Sequence, residues 1–384
     1  MPLVSALFLT ACAEGDVSVG GSDPTPTNRT LEQIDTATIS LPAGLGDAGV
    51  LQPGWDLPPQ ELDGVFVGQS MGESGWLEFT AVDERGEILW LAERPPSCTG
   101  FALARTDDGR PLAILTNLVA TPEAIATPTA TAFDLRTGEE IWGPIEVTGP
   151  YKGPGLVFAA APEGFMGDTG KKIALNPSTG DIIAAEDEHT TRRIVGEFQG
   201  ALISVDADHL IAERPNDEGA LETLWSLPLA EFGWDHAEIS NQARRIDLGD
   251  QHIVIPSGDD SLAVLELEAG TVVVNHARDA AYDKQSDTLI ILNDSEIVGF
   301  PANGEAWNLP VPGDARLQGL GGGIAYVHTY EANLAFNLTN GATLVPEFAG
   351  TRVRDTSLFL PVHTTEGGAA IIQNGGVQHF VPRR

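Results

Sequence analysis

One segment of the sequence has the spacing of a catalytic nucleophile motif, Gly68-Gln69-Ser70-Met71-Gly72. The serine of such a motif is reactive when it lies on a strand-to-helix turn, where its Oγ is exposed and the helix N-terminus supports an oxyanion. The motif follows the apolar run Val65-Phe66-Val67, but residues 73–79 are typical of a turn and a second strand. We therefore predict a hairpin turn here, and a serine hydrolase at Ser70 is the weakest of three functional hypotheses.

Other residues that could bind a metal or cofactor lack the necessary spacing. The 8 histidines form no His-x-x-x-His or His-Glu-x-x-His pair, so no zinc site is indicated. The glycine-rich run at 319–323 is followed by Ile324 where a dinucleotide-binding fingerprint has glycine, and we predict a flexible turn before a strand at 324–328. Four acids match no Ca²⁺-binding loop and are predicted as turn residues: Asp206, Asp208, Asp259 and Asp260. We predict no catalytic residue and no metal ligand.

The N-terminal apolar run ends in Leu9-Thr10-Ala11-Cys12, which resembles the lipobox of bacterial lipoprotein signal peptides. In that motif the cysteine becomes the lipid-carrying N-terminus. No Lys or Arg precedes the run, so we expect a true start upstream of Met1; the alternative is a coincidental apolar N-terminus. We predict a signal segment at 1–12, with Cys12 lipidated, and a flexible linker at 13–33. No run approaches 18 apolar residues, so no membrane-spanning helix is predicted.

The second cysteine, Cys98, has no partner if Cys12 carries a lipid. A buried, inert thiol is the prediction, because free cysteine usually behaves as a small apolar residue. An intermolecular bridge and a Cys12–Cys98 disulfide are the alternatives.

A unit of two strands joined by a tight turn recurs along the chain. These units form the scaffold on which the side chains of a functional site would lie. The clearest copy runs from Ala132 to Trp142, with Asp134 able to accept hydrogen bonds from N–H groups ahead of it and Gly138 able to adopt positive φ. Two further copies supply equivalent turn residues: Asp83, Gly86 and Trp90 in one, and Asn176 and Gly180 in the other. The turn glycines recur on average about every 41 residues, the period of one four-stranded propeller blade. They are Gly86, Gly138, Gly180, Gly219, Gly270, Gly304, Gly341 and Gly375.

Four of the 7 tryptophans follow a turn glycine within six residues: Trp90, Trp142, Trp225 and Trp307. A radial stack of sheets needs large apolar side chains between its blades. We therefore predict that each tryptophan packs in the seam between neighbouring sheets. An aromatic platform for a ligand is the alternative.

The remaining pattern predicts an all-β fold. Short apolar runs alternate with Gly, Pro, Asn and Asp clusters, and the chain has 43 glycines and 26 prolines with 42% hydrophobic residues. We predict one β-propeller of four-stranded blades over residues 34–384, with eight blades favoured and seven as the alternative. A short helix is predicted at 228–239. If the ring closes by strand exchange, residues 31–41 should pair with the sheet built from 359–382.

The copy at 132–142 resembles the repeat of the PQQ-like β-propeller family, Ala-x-Asp-x-x-Thr-Gly-x-x-x-Trp. The copy at 81–90 is one residue short, that at 174–183 is a fair match, and later copies are degenerate. The resemblance implies an eight-bladed propeller from a family of quinoprotein dehydrogenases and non-enzymatic lipoproteins, among them the scaffold subunit of the outer-membrane β-barrel assembly machine. A dehydrogenase resembling the family would need PQQ, Ca²⁺, an Asp base and usually a pair of adjacent cysteines. This chain has no adjacent cysteines, and no base or Ca²⁺ ligand can be assigned to a residue in it. We therefore place the chain in the non-enzymatic branch.

The net charge of −34, from 21 basic and 55 acidic residues, limits the partners. Such a surface repels nucleic-acid phosphates and anionic lipid headgroups, so nucleic acid is excluded and a covalent lipid is the expected route to a membrane. The acidic run at 185–188 is predicted to be a solvated loop.

These observations predict a lipid-anchored, extracytoplasmic and monomeric propeller. It would act as a binding or scaffold module for a protein or cell-envelope polymer, without a cofactor. The alternative is an enzyme resembling a PQQ-dependent dehydrogenase, or another propeller enzyme, with a site in the central channel and with PQQ and Ca²⁺ as its cofactors.

Overall fold

The computed structural model describes residues 21–36, 39–41, 45, 49–98, 100–119, 127–160, 170–187, 189–216, 218–241, 246, 248–258, 260–331, 333–344 and 359–383. The predicted signal segment, with Cys12, lies outside these residues, as does Asp259. The described part contains 32 strands and 2 short helices. No helix in it is long and apolar enough to cross a membrane.

The strands of the N-terminal half are given in chain order. They are β1 (Thr25–Thr30), β2 (Glu32–Gln33), β3 (Leu51–Gln52), β4 (Gln60–Leu62), β5 (Val65–Met71), β6 (Leu77–Asp83), β7 (Glu87–Arg94), β8 (Phe101–Arg105), β9 (Pro111–Val119), β10 (Thr127–Asp134), β11 (Glu140–Glu146), β12 (Val157–Ala159), β13 (Lys172–Leu175), β14 (Ile182–Ala185), β15 (Arg193–Phe198), β16 (Ala201–Asp206), β17 (His209–Pro215) and β18 (Leu221–Pro228).

Two helices and the C-terminal strands follow. They are α1 (Leu229–Phe232), α2 (His236–Asn241), β19 (His252–Pro256), β20 (Leu262–Glu266), β21 (Val272–Ala277), β22 (Asp279–Asp283), β23 (Thr288–Leu292), β24 (Glu296–Pro301), β25 (Trp307–Pro310), β26 (Arg316–Gly321), β27 (Ile324–His328), β28 (Asn333–Asn337), β29 (Thr343–Leu344), β30 (Leu360–Thr364), β31 (Ala370–Asn374) and β32 (Val377–Val381). The helix predicted at 228–239 is therefore two helices, interrupted at Gly233, whose φ is 73°.

The strands form eight antiparallel sheets, which are the eight blades of a β-propeller. This confirms the all-β fold and the favoured blade number. Each blade follows one four-stranded plan, and we call its strands A to D from the ring axis outward. Blade 2 is β8 to β11, blade 4 is β15 to β18, blade 6 is β22 to β25 and blade 7 is β26 to β29. In blades 3 and 5 the described strands are the outer three, β12 to β14 and β19 to β21.

The meander gives the ring two different ends. Because successive strands run antiparallel, the A–B and C–D turns lie at one end, which we call the upper face, and the B–C turns lie at the other, the lower face. The turn glycines that join C to D strands are on the upper face, where Gly86, Gly138 and Gly180 have φ between 72° and 84°. Sites built from A strands and A–B turns therefore lie at the upper mouth of the central channel.

The core lies between the blades. One side-chain cluster joins blades 1 and 2 through residues such as Phe79, Trp90 and Leu115, and another joins blades 4 and 5 through Ile203, Trp225 and Ile255. Strand β5 shows the cause, since its consecutive residues Val65–Gln69 are all buried and successive side chains point to opposite faces of the sheet. Each sheet buries both faces against its neighbours, which a stack of sheets achieves only when it closes into a ring.

Ring closure uses the N-terminal segment, as predicted, since β2 belongs to the sheet of β30 to β32 and the Phe359 N–H donates to the Ser40 carbonyl oxygen at 3.2 Å. Strand β3, which was not predicted, makes the direct pairing. Leu51 of β3 pairs with Phe380 of β32, and β2 pairs with the outer side of β3, so blade 8 is β30, β31, β32, β3 and β2. Blade 1 is β4 to β7 with β1 added outside β7. Within the predicted linker at 13–33, Thr25–Thr30 forms this strand and covers the open edge of β7.

The C-terminus completes the closure on the upper face. Arg383 donates its backbone N–H to the Glu84 carbonyl oxygen at 2.8 Å and its Nη1 to Glu84 Oε2 at 2.8 Å. Glu84 Oε1 accepts a hydrogen bond from Thr365 Oγ1, so the C–D turn of blade 1 holds the A–B turn of blade 8 as well. The final strand and the first complete blade are thus joined by both backbone and side-chain contacts.

Candidate functional site

A cluster of charged side chains lies across the ring axis at the upper mouth of the channel. Its centre is Glu61 on the A strand of blade 1, with a side chain only 2% exposed. Lys284 Nζ, from the A–B turn of blade 6, lies 2.7 Å from Glu61 Oε2, and His363 Nε2, from the A strand of blade 8, lies 3.3 Å from the same oxygen. Blades 1 and 6 are not neighbours, so this contact spans the channel. We call Glu61, Lys284, His363, Arg105, Asp63 and Asp250 the axial cluster.

Arg105 makes the second bridge of the axial cluster. It ends the A strand of blade 2, and its Nη1 lies 2.5 Å from Asp63 Oδ2 in the A–B turn of blade 1. Its Nη2 lies 3.7 Å from Asp250 Oδ2 of blade 5, again across the axis. Burial tends to lower the pKa of Arg105, but the hydrogen bond to Asp63 and the charge of Asp250 raise it overall. The guanidinium therefore remains a fixed positive charge at the mouth.

Glu61 is held ionised by its partners. Burial alone would raise the pKa of its carboxyl, but the hydrogen bond from His363 and the charge of Lys284 lower it to about 2. Glu61 Oε1 also accepts the Gly64 N–H at 2.7 Å. Because an ionised carboxylate can only accept hydrogen bonds, His363 must carry its proton on Nε2. The ring of His363 packs edge-on against Phe66 at 5.7 Å, which fixes its orientation.

A second buried glutamate, Glu197, occupies the same position in blade 4. Its Oε1 accepts the Gly200 N–H at 2.7 Å and its Oε2 accepts the Leu156 N–H of blade 3 at 2.9 Å. Burial, with a smaller contribution from the charge of nearby Asp107, raises the pKa of Glu197 to about 7, although the two backbone hydrogen bonds lower it in part. The side chain is 2% exposed, so this carboxyl joins two blades and is closed to a solute.

The axial cluster is suited to joining blades and presenting charge rather than to proton transfer. A general base needs a pKa near the working pH and an open lone pair toward the substrate. Glu61 has a pKa of about 2 and already accepts three donors, and Glu197 has a suitable pKa but no access. Neither glutamate therefore combines the two properties.

The residues present do not fit a Ca²⁺–quinone pair. Ca²⁺ takes six to eight oxygen ligands, usually with several carboxylates. Within the described residues, no three His, Cys, Asp or Glu side chains converge as a cation site, and the axial carboxylate Glu61 is paired with an ammonium group.

A serine–histidine cluster lies on the lower face of blade 5. Ser257 Oγ and Ser261 Oγ each lie 3.4 Å from His276 Nδ1, and Asn275 Nδ2 lies 3.2 Å from His276 Nε2. Trp234 Nε1 donates to Asn275 Oδ1 at 2.6 Å, which fixes Nδ2 as the donor toward His276. His276 Nε2 is then the acceptor and Nδ1–H the donor to the serines. In this tautomer the histidine cannot take a serine proton, so the cluster lacks the base of a hydrolase.

The predicted tryptophans lie in the seams between blades. Each indole Nε1 donates to a carbonyl in the C–D turn of the next blade: Trp90 to Leu135 at 2.8 Å, Trp142 to Pro177 at 2.8 Å, Trp225 to Leu267 at 2.7 Å and Trp307 to Leu338 at 2.8 Å. A Cβ on Gly180, Gly270 or Gly341 would lie within 2.7 Å of an indole carbon. Those turn glycines therefore allow close approach of the tryptophan as well as positive φ.

The predicted turn residues form the expected local bonds. Asp134 Oδ1 accepts the Thr137 N–H at 2.9 Å, Asp83 Oδ1 accepts the Arg85 N–H at 2.8 Å, and Asn176 Oδ1 accepts the Ser178 N–H at 2.7 Å. They lie in separate blades, so the structure does not bring them together as a site. Gly304 is in the C–D turn of blade 6 but is not among the positive-φ glycines. Gly375, in contrast, lies in the B–C turn between β31 and β32, since blade 8 takes its D strand from the N-terminal segment.

The other positions singled out from the sequence have structural roles. Ser70 pairs with Glu78 inside the β5–β6 hairpin and is not on a strand-to-helix turn. Gly322 and Gly323 form the turn predicted before the strand at 324–328. Gly319 and Gly321 instead lie in β26, where they allow β30 to approach, and a Cβ on Gly321 would lie 2.7 Å from Pro361 Cβ. Cys98 is free and buried, and burial raises the pKa of its thiol. Asp206 ends β16, whereas Asp208 lies in a turn, as does Asp260.

Sequence reasoning missed the axial cluster. Its charged residues resemble ordinary solvated residues of turns, and their partners lie far away in the sequence. One signal was present, because Glu61 and Glu197 each precede a turn glycine by three residues, as Glu-x-x-Gly. A buried glutamate that caps an A–B turn could have been predicted from that spacing.

The comparisons with known proteins find only remote structural likeness. No protein-family model matches the sequence, and no curated protein matches it. Dihydro-heme d1 dehydrogenase NirN in complex with DHE is 13% identical over 96% of this chain and 79% of its own, with a TM-score of 0.39. A functionally unknown protein from Desulfotomaculum acetoxidans is 10% identical over 76% and 86%, with a TM-score of 0.33, and Hsv2p from Kluyveromyces lactis is 10% identical over 73% and 93%, with a TM-score of 0.36.

Proposed function

We propose that this propeller is an extracytoplasmic binding module, anchored to the cell membrane by a lipid on Cys12, that presents its upper face to a protein or cell-envelope polymer. It acts as a monomer and as a scaffold, without a cofactor. The lipobox-like segment before Cys12 supports the anchor, and the pronounced acidity of the chain disfavours attachment through anionic headgroups.

The observation that carries the proposal is the axial cluster. The ion pairs of Glu61 with Lys284 and of Arg105 with Asp250 join blades on opposite sides of the channel. The upper mouth, where a channel enzyme would admit a substrate, is thus crossed by side chains of the chain itself. What remains for a partner is the outer surface of the upper face, where side chains such as Arg85 and Glu139 are exposed on C–D turns.

We also propose that the blades are repeats of the PQQ-like type in its non-enzymatic branch. The support is the shared role of Trp90, Trp142, Trp225 and Trp307, each of which donates to the turn carbonyl of the next blade. In the closing seam Leu51 occupies the corresponding place against Gly86. The same hydrogen bond, from a tryptophan to a C–D turn carbonyl of the next blade, is expected to recur when the blades are copies of one repeated unit.

Site-specific photocrosslinking of the full chain in membranes tests the binding role. Photoreactive residues at Arg85 and Glu139 on the upper face should give the same crosslinked partner, and a matched residue at Asp208 on the lower face should not. Mass spectrometry of the same preparation should find a lipid on Cys12, and Cys12→Ala should release the protein from the membrane fraction. Equal crosslinking from both faces, or none, would contradict a platform on the upper face.

Reconstitution decides between this proposal and the enzyme alternative. The full chain is incubated with PQQ and Ca²⁺ and freed of unbound cofactor. A stoichiometric absorbing cofactor that is retained would replace the binding module by a channel enzyme. Retention of the absorbance in a Lys284→Met variant would place that cofactor away from the axial cluster.

A further inference from the structure

Exposed apolar side chains collect on the lower face of three consecutive blades. Met71 ends the B strand of blade 1 and is 54% exposed, Val377 begins the C strand of blade 8 and is 51% exposed, and Tyr330 lies in the B–C turn of blade 7 and is 89% exposed. Leu57, 51% exposed, follows Asp56, whose Oδ2 accepts the Met71 N–H at 2.7 Å. We call these four residues the apolar arc.

The apolar arc differs from the rest of the described surface. The other large, exposed apolar residues are Ile182 and Phe300 near upper-face turns and Val362 within the A strand of blade 8. On the lower face, such residues in the described ranges are confined to blades 7, 8 and 1. Single exposed apolar residues are normal on a soluble protein, but a group on adjacent blades indicates a contact surface.

The chain enters the ring beside the apolar arc. Strand β1 runs antiparallel to β7, with Thr25 opposite Leu91 and Thr30 opposite Glu87, so the residues before Thr25 lie at the lower end of blade 1. They are fixed there, because the Glu93 N–H donates to the Ser22 carbonyl at 3.0 Å and the buried Arg94 holds Asp23 at 3.0 Å.

The covalent reach from a lipid on Cys12 to this point is short. Nine residue steps separate Cys12 from Gly21, which even fully extended span at most about 32 Å. A lipid there would keep the lower end of blade 1 close to the bilayer and leave the upper face directed away. We infer that the apolar arc rests on the surface of the lipid bilayer, an inference that depends on the proposed anchor at Cys12.

The chemistry of the arc selects the lipid headgroup. Tyr330 has an aromatic body and a polar tip, a combination that suits the membrane–water interface, while Leu57, Met71 and Val377 offer apolar contact. The exposed acids Glu73 and Glu331 adjoin the arc and would be repelled by anionic headgroups. A zwitterionic surface such as phosphatidylcholine therefore fits best, and the anchor supplies the effective concentration that so small a contact needs.

Hydrogen–deuterium exchange on the lipidated full chain tests the inference. On phosphatidylcholine vesicles, backbone exchange at 71–77, 327–331 and 373–378 should be several-fold slower than in the unlipidated Cys12→Ala chain. Exchange at the upper-face segments 105–110 and 284–288 should be unchanged. A lipidated triple variant, Met71→Gln, Tyr330→Ser and Val377→Thr, should lose the protection, and the matched upper-face variant Ile182→Thr, Phe300→Ser should keep it. Vesicles in which half of the lipid is anionic phosphatidylglycerol should reduce the protection of the lower-face segments in the lipidated chain.

The outcomes separate the two proposals. If mass spectrometry finds no lipid on Cys12, the anchor fails. If the lipid is present but the lower-face segments are unprotected, or are equally protected in the triple variant, the bilayer contact is wrong while the anchor stands. Protection in the Cys12→Ala chain that grows with protein concentration would assign the arc to a second copy of the chain and overturn the inference, as would stronger protection on anionic vesicles.

Discussion

Glu61 and Glu197 are placed alike and behave in opposite ways. Each lies three residues before a turn glycine on an A strand, and each accepts that glycine's N–H at 2.7 Å. The turns match as well, since Asp63 and Gln199 both have φ of 51° before a glycine of positive φ. Yet the pKa of Glu61 is lowered to about 2 and that of Glu197 is raised to about 7.

The difference comes from the side chains that other blades place against each carboxyl. Burial raises the pKa of both carboxyls, but only Glu61 meets a histidine and an ammonium group from blades 8 and 6. Glu197 meets backbone N–H groups and the nearby charge of Asp107. The local turn fixes where the carboxylate lies, and the partners from other blades, His363 of blade 8 and Lys284 of blade 6, decide whether it is charged.

The largest expected effect comes from removing that partner. Lys284→Met leaves Glu61 buried with its ammonium partner gone, so its pKa should rise toward that of Glu197. We expect a loss of about 3–5 kcal/mol in the free energy of unfolding at pH 7, measured by urea denaturation. Arg214→Met is the matched control, because it breaks an exposed pair with Glu268 that should contribute less than about 1 kcal/mol. Equal losses in the two variants would contradict the role of Lys284.

The second prediction concerns the pH dependence caused by Glu197. Its pKa is higher in the folded state, about 7, than the ordinary value of 4.5 for a glutamate in the unfolded chain, so folding binds a proton between these pH values. The stability that Glu197 gains from this proton is fully present below pH 4.5, falls as the pH rises, and is lost above pH 7. The free energy of unfolding changes by about 3 kcal/mol over this interval. Glu197→Gln removes this dependence but loses one backbone hydrogen bond, at a cost of about 1–3 kcal/mol.

The measurement is the difference in unfolding free energy between Glu197→Gln and the natural protein from pH 5 to pH 8. The variant should be the less stable at pH 5, and the gap should narrow or reverse by pH 8. Glu61→Gln is the comparison, because the pKa of Glu61 is lowered and its contribution is lost only as the pH falls from 4.5 through about 2. A constant difference for Glu197→Gln across the range would show that Glu197 does not titrate there.

The contrast between local turns and contacts across the ring also separates what the sequence could predict from what it could not. Asp134 with Thr137 and Gly138 interacts within five residues, so the turn, the buried tryptophan and the blade period are all legible locally. Glu61 and Lys284 are 223 residues apart, and their contact depends on the number and curvature of the blades. Gly375 illustrates this limit of sequence-based prediction. Counting it among the turn glycines gave the correct number of eight blades, although it lies in a B–C turn and the other seven lie in C–D turns.

A smaller effect is expected from His363, which shares Glu61 with Lys284. His363→Phe keeps a ring against Phe66 but removes the donor 3.3 Å from Glu61 Oε2. We expect a loss of about 1–2 kcal/mol at pH 7, since Lys284 and Gly64 still hold the carboxylate. His363→Gln retains a donor and should recover part of the loss, as judged by urea unfolding. A variant as damaging as Lys284→Met would show that the histidine, and not the lysine, sets the charge of Glu61.

The smallest predicted effect concerns Asp107, the one acid that raises the pKa of Glu197 by its charge. Asp107→Asn removes that charge and keeps the backbone N–H that Asp107 donates to Ser178 Oγ at 2.9 Å. Ionised Glu197 is then less unfavourable, so its pKa should fall and the pH interval over which stability is lost should become narrower. The variant should match the natural protein at pH 5 and exceed its stability by a few tenths of a kcal/mol at pH 8. Lower stability at pH 8 would mean that Asp107 stabilises its turn by more than its charge destabilises ionised Glu197.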